Sequence, residues 1–409
     1  MEKQQTAKPV IRFPEFTDHW NNTKLSELLK EAKKRNADLK YTKDEVLSVS
    51  GEMGIVNQIE HLGRSYAGVS VHQYHVVEVG DIVYTKSPLK ANPYGIIKQN
   101  KKKAGIVSTL YAVYNVKEEN AHGEFIEQYF SLDENLNRYL RPLVRKGAKN
   151  TLQVSDAEAL RGNFLIPSVA EQKKITQLLN ILDKKIEQLK QKKSLLEKYK
   201  KGIMQKIFAQ EIRFKDENEN EFPDWETRKL GDICIKIGDG LHGTPIYSDN
   251  SDIHFINGNN LTDGKIEITE NTKKVDYNTY LKNNKGLNEN TLLISINGTI
   301  GNIARYNNEN IMLGKSVGYF NLQGNIDFFY QVLNSEKIQN YFISELTGST
   351  IKNLSLKTLR ETIIPYPCKI EQYKIGNFLA TIDDKIRRTQ AQIEQTQQYK
   401  KGLLQNMFV

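Results

Sequence analysis

The chain repeats itself, and the repeat constrains the fold more than any local motif does. One segment opens Ile166-Pro167-Ser168-Val169-Ala170-Glu171-Gln172-Lys173-Lys174-Ile175 and closes on Tyr199-Lys200-Lys201-Gly202-Ile203-Met204-Gln205-Lys206-Ile207-Phe208. A second runs from Ile364-Pro365 through Glu371-Gln372-Tyr373-Lys374-Ile375 to Tyr399-Lys400-Lys401-Gly402-Leu403-Leu404-Gln405-Asn406-Met407-Phe408. Gln172 and Gln372 lie 200 residues apart, and so do Phe208 and Phe408, so neither copy has gained or lost a residue. The beginnings repeat as well. Phe13-Pro14 leads to Trp20 and Lys24-Leu25, and Phe222-Pro223 leads to Trp225 and Lys229-Leu230. The stretches between, about 30–150 and about 235–350, share little beyond a strand-and-turn texture. Two copies of one unit are implied, with a pseudo-twofold relation between them.

Positions 175, 179, 182, 186, 189, 193, 196, 200, 203 and 207 follow a 4-3-4-3 spacing that is mostly apolar. They supply the seam residues Ile175, Leu179, Leu182, Ile186, Leu189 and Leu196. The same grid in the second copy gives Ile375, Leu379, Ile382, Ile386 and Ile393. An a/d pattern sustained in this way is a coiled-coil seam. Lys200 and Lys400 occupy the same late seam position, where a lysine costs stability and marks register. About 35 residues rising 1.5 Å each make a rod of roughly 50 Å. An exposed seam needs a partner. The other copy, packed antiparallel, is the simplest choice, and a parallel homodimer of each helix is the alternative.

The expected architecture is α/β (α+β). Two mixed α/β domains, 1–168 and 211–366, are joined by helices at 169–210 and 367–409 packed as an antiparallel coiled coil. Residues 76–84, 105–114 and 291–296 read as strands, and 125–139 and 328–342 as amphipathic helices. A chain of 409 residues can bury two cores of ordinary size. Its net charge of +9 and pI near 9.1 suit a polyanionic partner. Cys234 and Cys368 form no close pair, which points to a reducing cytoplasm and away from a cysteine zinc site. The polar start Met1-Glu2-Lys3-Gln4 predicts no signal peptide, and no apolar run approaches a membrane span.

Catalytic motifs fail on inspection. Asn92-Pro93-Tyr94 lacks the second proline of an adenine methyltransferase motif and reads as a polar turn. Gly314-Lys315-Ser316 ends like a P-loop, but Glu309 stands where the first glycine is required. Pro223-Asp224 and Asp263-Gly264-Lys265 could be pieced into a nuclease motif, although Pro223-Asp224 already belongs to the repeated beginning. His72 and His75 point to opposite faces of a strand-like run, so no metal site is expected there. If the polyanionic partner is DNA, contact with it falls to cationic and polar loops. Arg145, Lys146 and Lys149, with Arg141, Asn150 and the turn Lys101-Lys102-Lys103, are candidates for phosphate contact. Lys86, Ser87, Asn92 and Tyr94 in the first unit are candidate base readers. His242, Thr244, Asn257, Asn259, Asn260, Asn297 and Lys315 are the candidates in the second.

With these residues in view the chain resembles the specificity subunits of type I restriction–modification systems. The likeness is carried by the tryptophan-led beginnings at Trp20 and Trp225, the loop Gly238–Pro245, and the twin Ile-Pro…Glu-Gln…Asp-Lys-Ile helices. It extends over the whole chain. It implies two target recognition domains, each reading one half of a split site in double-stranded DNA, on helices that space them and dock two methyltransferase subunits. Restriction and translocase subunits would join through the assembled complex. The resemblance further implies no catalysis and no cofactor on this chain. S-adenosylmethionine, ATP and magnesium would sit on partner subunits. A self-contained DNA-modifying enzyme and a coiled-coil scaffold are the competing readings.

Overall fold

Both long helices form as continuous elements, Val169–Phe208 and Lys369–Met407. The computed structural model describes residues 8–68, 70–147, 152–348 and 352–408. Two compact units result, neither of which respects the helix ends. The first takes Met1–Leu189 with Gln392–Val409, and the second takes Lys190–Ala391. Each unit therefore owns the first part of one long helix and the last part of the other.

The first unit is built on an antiparallel sheet of strands Leu29–Glu31, Tyr111–Val116, Ile82–Thr85 and Ile96–Gln99, in that order. The second repeats the order with Cys234–Asp239, Val317–Leu322, Thr291–Ser295 and Ile303–Arg305. Middles with little common sequence thus share one topology, and in both the strands Ile82–Thr85 and Thr291–Ser295 are buried on both faces, which asks for apolar bulk and not for particular residues. Short ribbons close each unit: Asn21–Lys24 pairs with Asn163–Ile166, and Glu226–Lys229 with Ile363–Tyr366. Each ribbon brings the start of a globular section beside the strand that feeds its long helix.

Some expected elements are shorter than their apolar runs. The run 76–84 breaks into His75–Val77 and Ile82–Thr85, because Gly80 turns at φ +99°. The run 105–114 breaks at Ser108–Leu110 into Gly105–Val107 and Tyr111–Val116. Each expected amphipathic helix is a pair, Gly123–Phe130 with Asp133–Leu140 and Ile326–Leu333 with Glu336–Ser344. Ser131 Oγ bonds back to the Gln128 carbonyl at 2.6 Å and Asn334 Nδ2 to the Tyr330 carbonyl at 2.8 Å, which is how such residues compete with the helix ladder.

The tryptophans and the Glu-Gln pairs meet. Glu171, 1% exposed, accepts from Arg12 Nε and Nη2 at 2.8 Å each and from Trp20 Nε1 at 3.3 Å. Glu371, fully buried, accepts from Arg213 Nε at 3.3 Å, Arg213 Nη2 at 2.9 Å and Trp225 Nε1 at 2.8 Å. Each carboxylate sits in the first turn of its long helix, where the exposed N–H groups favour negative charge. The next residue fastens the same corner: Gln172 Nε2 donates to the Pro167 carbonyl at 2.9 Å, and Gln372 Nε2 to the Pro367 carbonyl at 2.8 Å.

The seam residues have two kinds of neighbour. Ile175 and Leu179 are buried in the first unit's main core together with Leu403, Leu404, Met407 and Phe408, with Leu182 packed at its margin. Ile375, Leu379 and Ile382 lie in the second unit's core with Met204 and Ile207, and Ile386 packs beside them. Ile186, Leu189 and Ile393 form a small cluster of helix residues alone. Leu196 is half-buried. Within the first unit Lys400 Nζ reaches Asp183 at 2.6 and 2.8 Å, so the chain directions oppose as residues 183–189 meet 400–393. Within the second, Lys200 Nζ lies 2.6 Å from Asp383. The seam lysines are thus ion-paired, each to the aspartate 17 residues before the other copy's lysine position.

These two pairs should differ in strength. Asp383 is 22% exposed and Asp183 46%, so water screens the second pair more. Lys200→Met is expected to lower unfolding stability by about 1–3 kcal/mol and Lys400→Met by about 1 kcal/mol or less. The double change Lys200→Met with Asp383→Asn should recover most of the loss, since no unpaired charge is left in the seam and Gln331 keeps an acceptor. Urea titrations of the three variants check this, and the opposite ranking would contradict it.

Candidate nucleic-acid interface

In the second unit five chain segments converge at one end of the sheet. The Gly240 and Leu241 amides donate to the Val317 and Leu313 carbonyls at 3.1 and 2.8 Å, which pins the 239–245 loop to the turn Gly314-Lys315-Ser316. The Gly258 amide donates to Ser316 Oγ at 2.9 Å, and that hydroxyl donates to Asn257 Oδ1 at 3.0 Å. Thr299 Oγ1 donates to the Gly258 carbonyl at 3.2 Å, and the Ile296 amide to the Ser316 carbonyl at 2.9 Å. Asn297 bridges to Asn353, which also pairs with Thr347. The approach is close enough to require glycine. A Cβ on Gly240 would sit 2.2 Å from the Leu313 carbonyl oxygen, and one on Gly314 would sit 2.4 Å from Asn257 Oδ1.

The structure sorts the candidates into two groups. His242, Thr244, Asn259 and Lys315 are exposed at loop tips. His242 Nε2 lies 2.7 Å from Asp239 Oδ2, which orients the ring without burying it. Asn257 and Asn260 use their amides to hold the loop: Asn260 Oδ1 accepts from the Asn257 amide at 2.9 Å, and Asn260 Nδ2 donates to the Glu267 carbonyl at 3.0 Å. Asn297 is half-buried. Asn353, Ser316, Thr347 and the exposed Lys352 belong to the same cluster and were missed from sequence. A signal existed, because Gly147 and Gly348 lie 201 residues apart within two polar runs.

The first unit has a corresponding hairpin, Arg145-Lys146 paired with Leu152-Gln153. Arg145 and Lys146 are exposed, and Lys146 Nζ sits 5.3 Å from the centre of the Tyr94 ring, which joins the hairpin to the 86–95 loop. Lys149 and Asn150 lie outside the described residues. Ser87 is exposed, whereas Lys86 is paired with Asp156, the two side chains being 17% and 18% exposed. Asn92 is buried and donates to Asp133 Oδ1 at 2.7 Å, so the Asn-Pro-Tyr sequence is a pinned turn. Of the basic turn, Lys101 pairs with Glu127 at 2.7 Å and Lys103 with Glu60 at 3.3 Å.

His75 is buried, and burial, with Arg35 nearby, pushes its pKa down to about 4, so it stays neutral. His72 is exposed between Ser70 and Gln73. Burial pushes the Cys234 thiol up to about 12, and Cys234 and Cys368 are both free. Among the described residues no three His, Cys, Asp or Glu side chains group as a metal site would need. No described helix is long and apolar enough to cross a membrane.

Residues 223–398 match the family model described as the type I restriction modification DNA specificity domain. A putative type I restriction enzyme MjaX specificity subunit of Methanocaldococcus jannaschii is 24% identical over 68% of this chain and 67% of its own length. The type I restriction enzyme MjaIX specificity subunit of the same organism is 27% identical over 49% of this chain and 48% of its own. Among solved structures, a type I restriction–modification S subunit from M. genitalium superposes with a TM-score of 0.60, 16% identity and coverage of 98% of this chain and 99% of that one. A chain from a study of assembly and conformational transition in a type I system gives a TM-score of 0.53 at 17% identity, covering 96% and 98%. At such identities these structures speak for the fold.

Proposed function

We propose, from the premise that this chain is a specificity subunit of a type I restriction–modification system, that each of its two units reads one half of a split site in double-stranded DNA. The observation that carries this reading is the contrast between the units. They share sheet order and helix junctions but present different side chains at the corresponding loop end. Arg145, Lys146 and Tyr94 stand there in one, and His242, Asn259, Lys315 and Lys352 in the other. A common frame with divergent loops is what two different half-sites require, since phosphate contacts position a protein and base-edge contacts specify.

In this reading the chain performs no chemistry itself. Two methyltransferase subunits dock on the repeated helices and their beginnings, and restriction and translocase subunits join the assembly. S-adenosylmethionine, ATP and magnesium are bound by those partners. The complex works in the cytoplasm, where its DNA is. Gel mobility shifts of the full chain, with and without methyltransferase subunits, test the proposal. At moderate salt, DNA that carries the site should bind more tightly than random duplex. Lys146→Ala should weaken specific and random duplexes alike and reduce the salt slope by about 1. Equal affinity for all duplexes in the full assembly would contradict sequence reading by this chain.

A further inference from the structure

The two units differ at one corresponding place outside the loop end. Lys98 lies opposite Val83 on the first sheet's edge strand, and Arg305 lies opposite Leu292 on the second's. Glu127 and Tyr330 are each the fifth residue of the following helix, and Gln128 and Gln331 the sixth. In the second unit the space between strand, helix and seam is plugged. The Arg305 guanidinium stacks 3.6 Å from the centre of the Tyr330 ring and bonds Asp327 at 2.8–2.9 Å, and Gln331 Nε2 donates to Asp383 at 2.6 Å. In the first unit the smaller Lys98 and Glu127 leave a cleft of about 290 Å³.

Lys98, Lys101, Lys102 and Lys400 line this cleft with Glu127 and Asp183, and Glu52 is solvated at its rim. The two inner carboxylates are already engaged, Glu127 with Lys101 at 2.7 Å and Asp183 with Lys400 at 2.6 Å. Among the described residues Lys98 and Lys102 have no ion-pair partner. Burial holds the Lys98 ammonium below the usual lysine range, so a neighbouring anion would restore what desolvation has cost it. A compact, cation-lined space of this size, with Met53 and Ile55 also in its wall, sits at the small end of ligand sites.

We infer that this cleft binds a phosphate group, with Lys98 and Lys102 as its cationic partners. The group could belong to a free phosphorylated molecule or to the backbone of DNA lying against the first unit, and two arms of one experiment separate these sources. The full chain is titrated with inorganic pyrophosphate by calorimetry and with a random-sequence duplex by fluorescence anisotropy at several salt concentrations. Three proteins are compared: wild type, Lys98→Met, and a plugged variant carrying Lys98→Arg and Glu127→Tyr with Lys101→Met, the last so that losing Glu127 frees no lysine. Their melting curves establish that each is folded. The plugged variant copies a solution the second unit already uses, so it remains informative if the methionine variant does not fold.

For a free ligand, pyrophosphate binds the wild type, and both variants weaken it by about tenfold or more, the size of one charge-assisted contact. For backbone phosphate, pyrophosphate gives no heat, and Lys98→Met reduces the salt slope of duplex binding by about 1. Unchanged binding in both arms overturns the inference, and so does pyrophosphate uptake that both variants retain. The pyrophosphate arm needs no DNA, so its outcome is independent of the recognition proposal.

Discussion

Glu371→Ala should destabilise the second unit by about 3–5 kcal/mol, the usual cost of removing one partner from a buried ion pair. Glu371 is fully buried, and it is the common acceptor for Arg213 and Trp225. Without it a guanidinium and an indole N–H lose their acceptor, and the helix start loses a favourable charge. Glu171→Ala should do the same to the first unit through Arg12 and Trp20. A loss of this size lowers the melting temperature of a unit of this length by on the order of 10 °C. Each substitution should move the unfolding of its own unit first, followed by limited proteolysis on a temperature ramp. Replacing Arg213 and Glu371 together with apolar residues should cost less than Glu371→Ala alone. A loss under about 1 kcal/mol for the single change would mean that the knots are decorative.

The second large effect concerns recognition more than stability. Gly240→Val places a side chain where the Leu313 carbonyl oxygen would lie 2.2 Å from its Cβ, and rigid backbone cannot yield as a flexible side chain would. The loop carrying His242 and Thr244 must then leave the turn carrying Lys315. If this cluster reads bases, specific binding should fall by about 2–4 kcal/mol, comparable to one to three mismatched base pairs. Affinity for random duplex, carried by exposed cations, should change by less than about twofold. Gly243→Val is the control, because nothing lies within 4 Å of a Cβ there. Equal losses on specific and random DNA would place base reading elsewhere.

The duplication was legible because helices register it rigidly: any insertion would rotate the seam off its partner. The apolar periodicity gave the long helices and their buried face. The corner knots were only half visible. Trp20, Trp225 and the Glu-Gln pairs stood out, but Arg12 and Arg213 did not, although Ile11-Arg12-Phe13 recurs as Ile212-Arg213-Phe214. The partners of the seam lysines escaped for a physical reason. Asp183 and Asp383 meet Lys400 and Lys200 only when the chain is folded, and periodicity along one helix does not encode a contact with another. The loop cluster escaped likewise, since hydrogen bonds join residues such as Gly258 and Ser316 that are 58 positions apart. Apolar runs overstated strand and helix lengths where Gly80 and Ser131 interrupt them.

If each unit reads its own half-site, the DNA motif methylated by a reconstituted complex has two halves that can be exchanged separately. Residues about 30–150 are exchanged for the corresponding segment of a relative with a different site, leaving both long helices and the second unit untouched. The methylated motif is then read by sequencing before and after the exchange. One half of the motif should change, and the other half and the spacing between them should stay. A change in both halves, or in neither, would contradict independent reading by the two units.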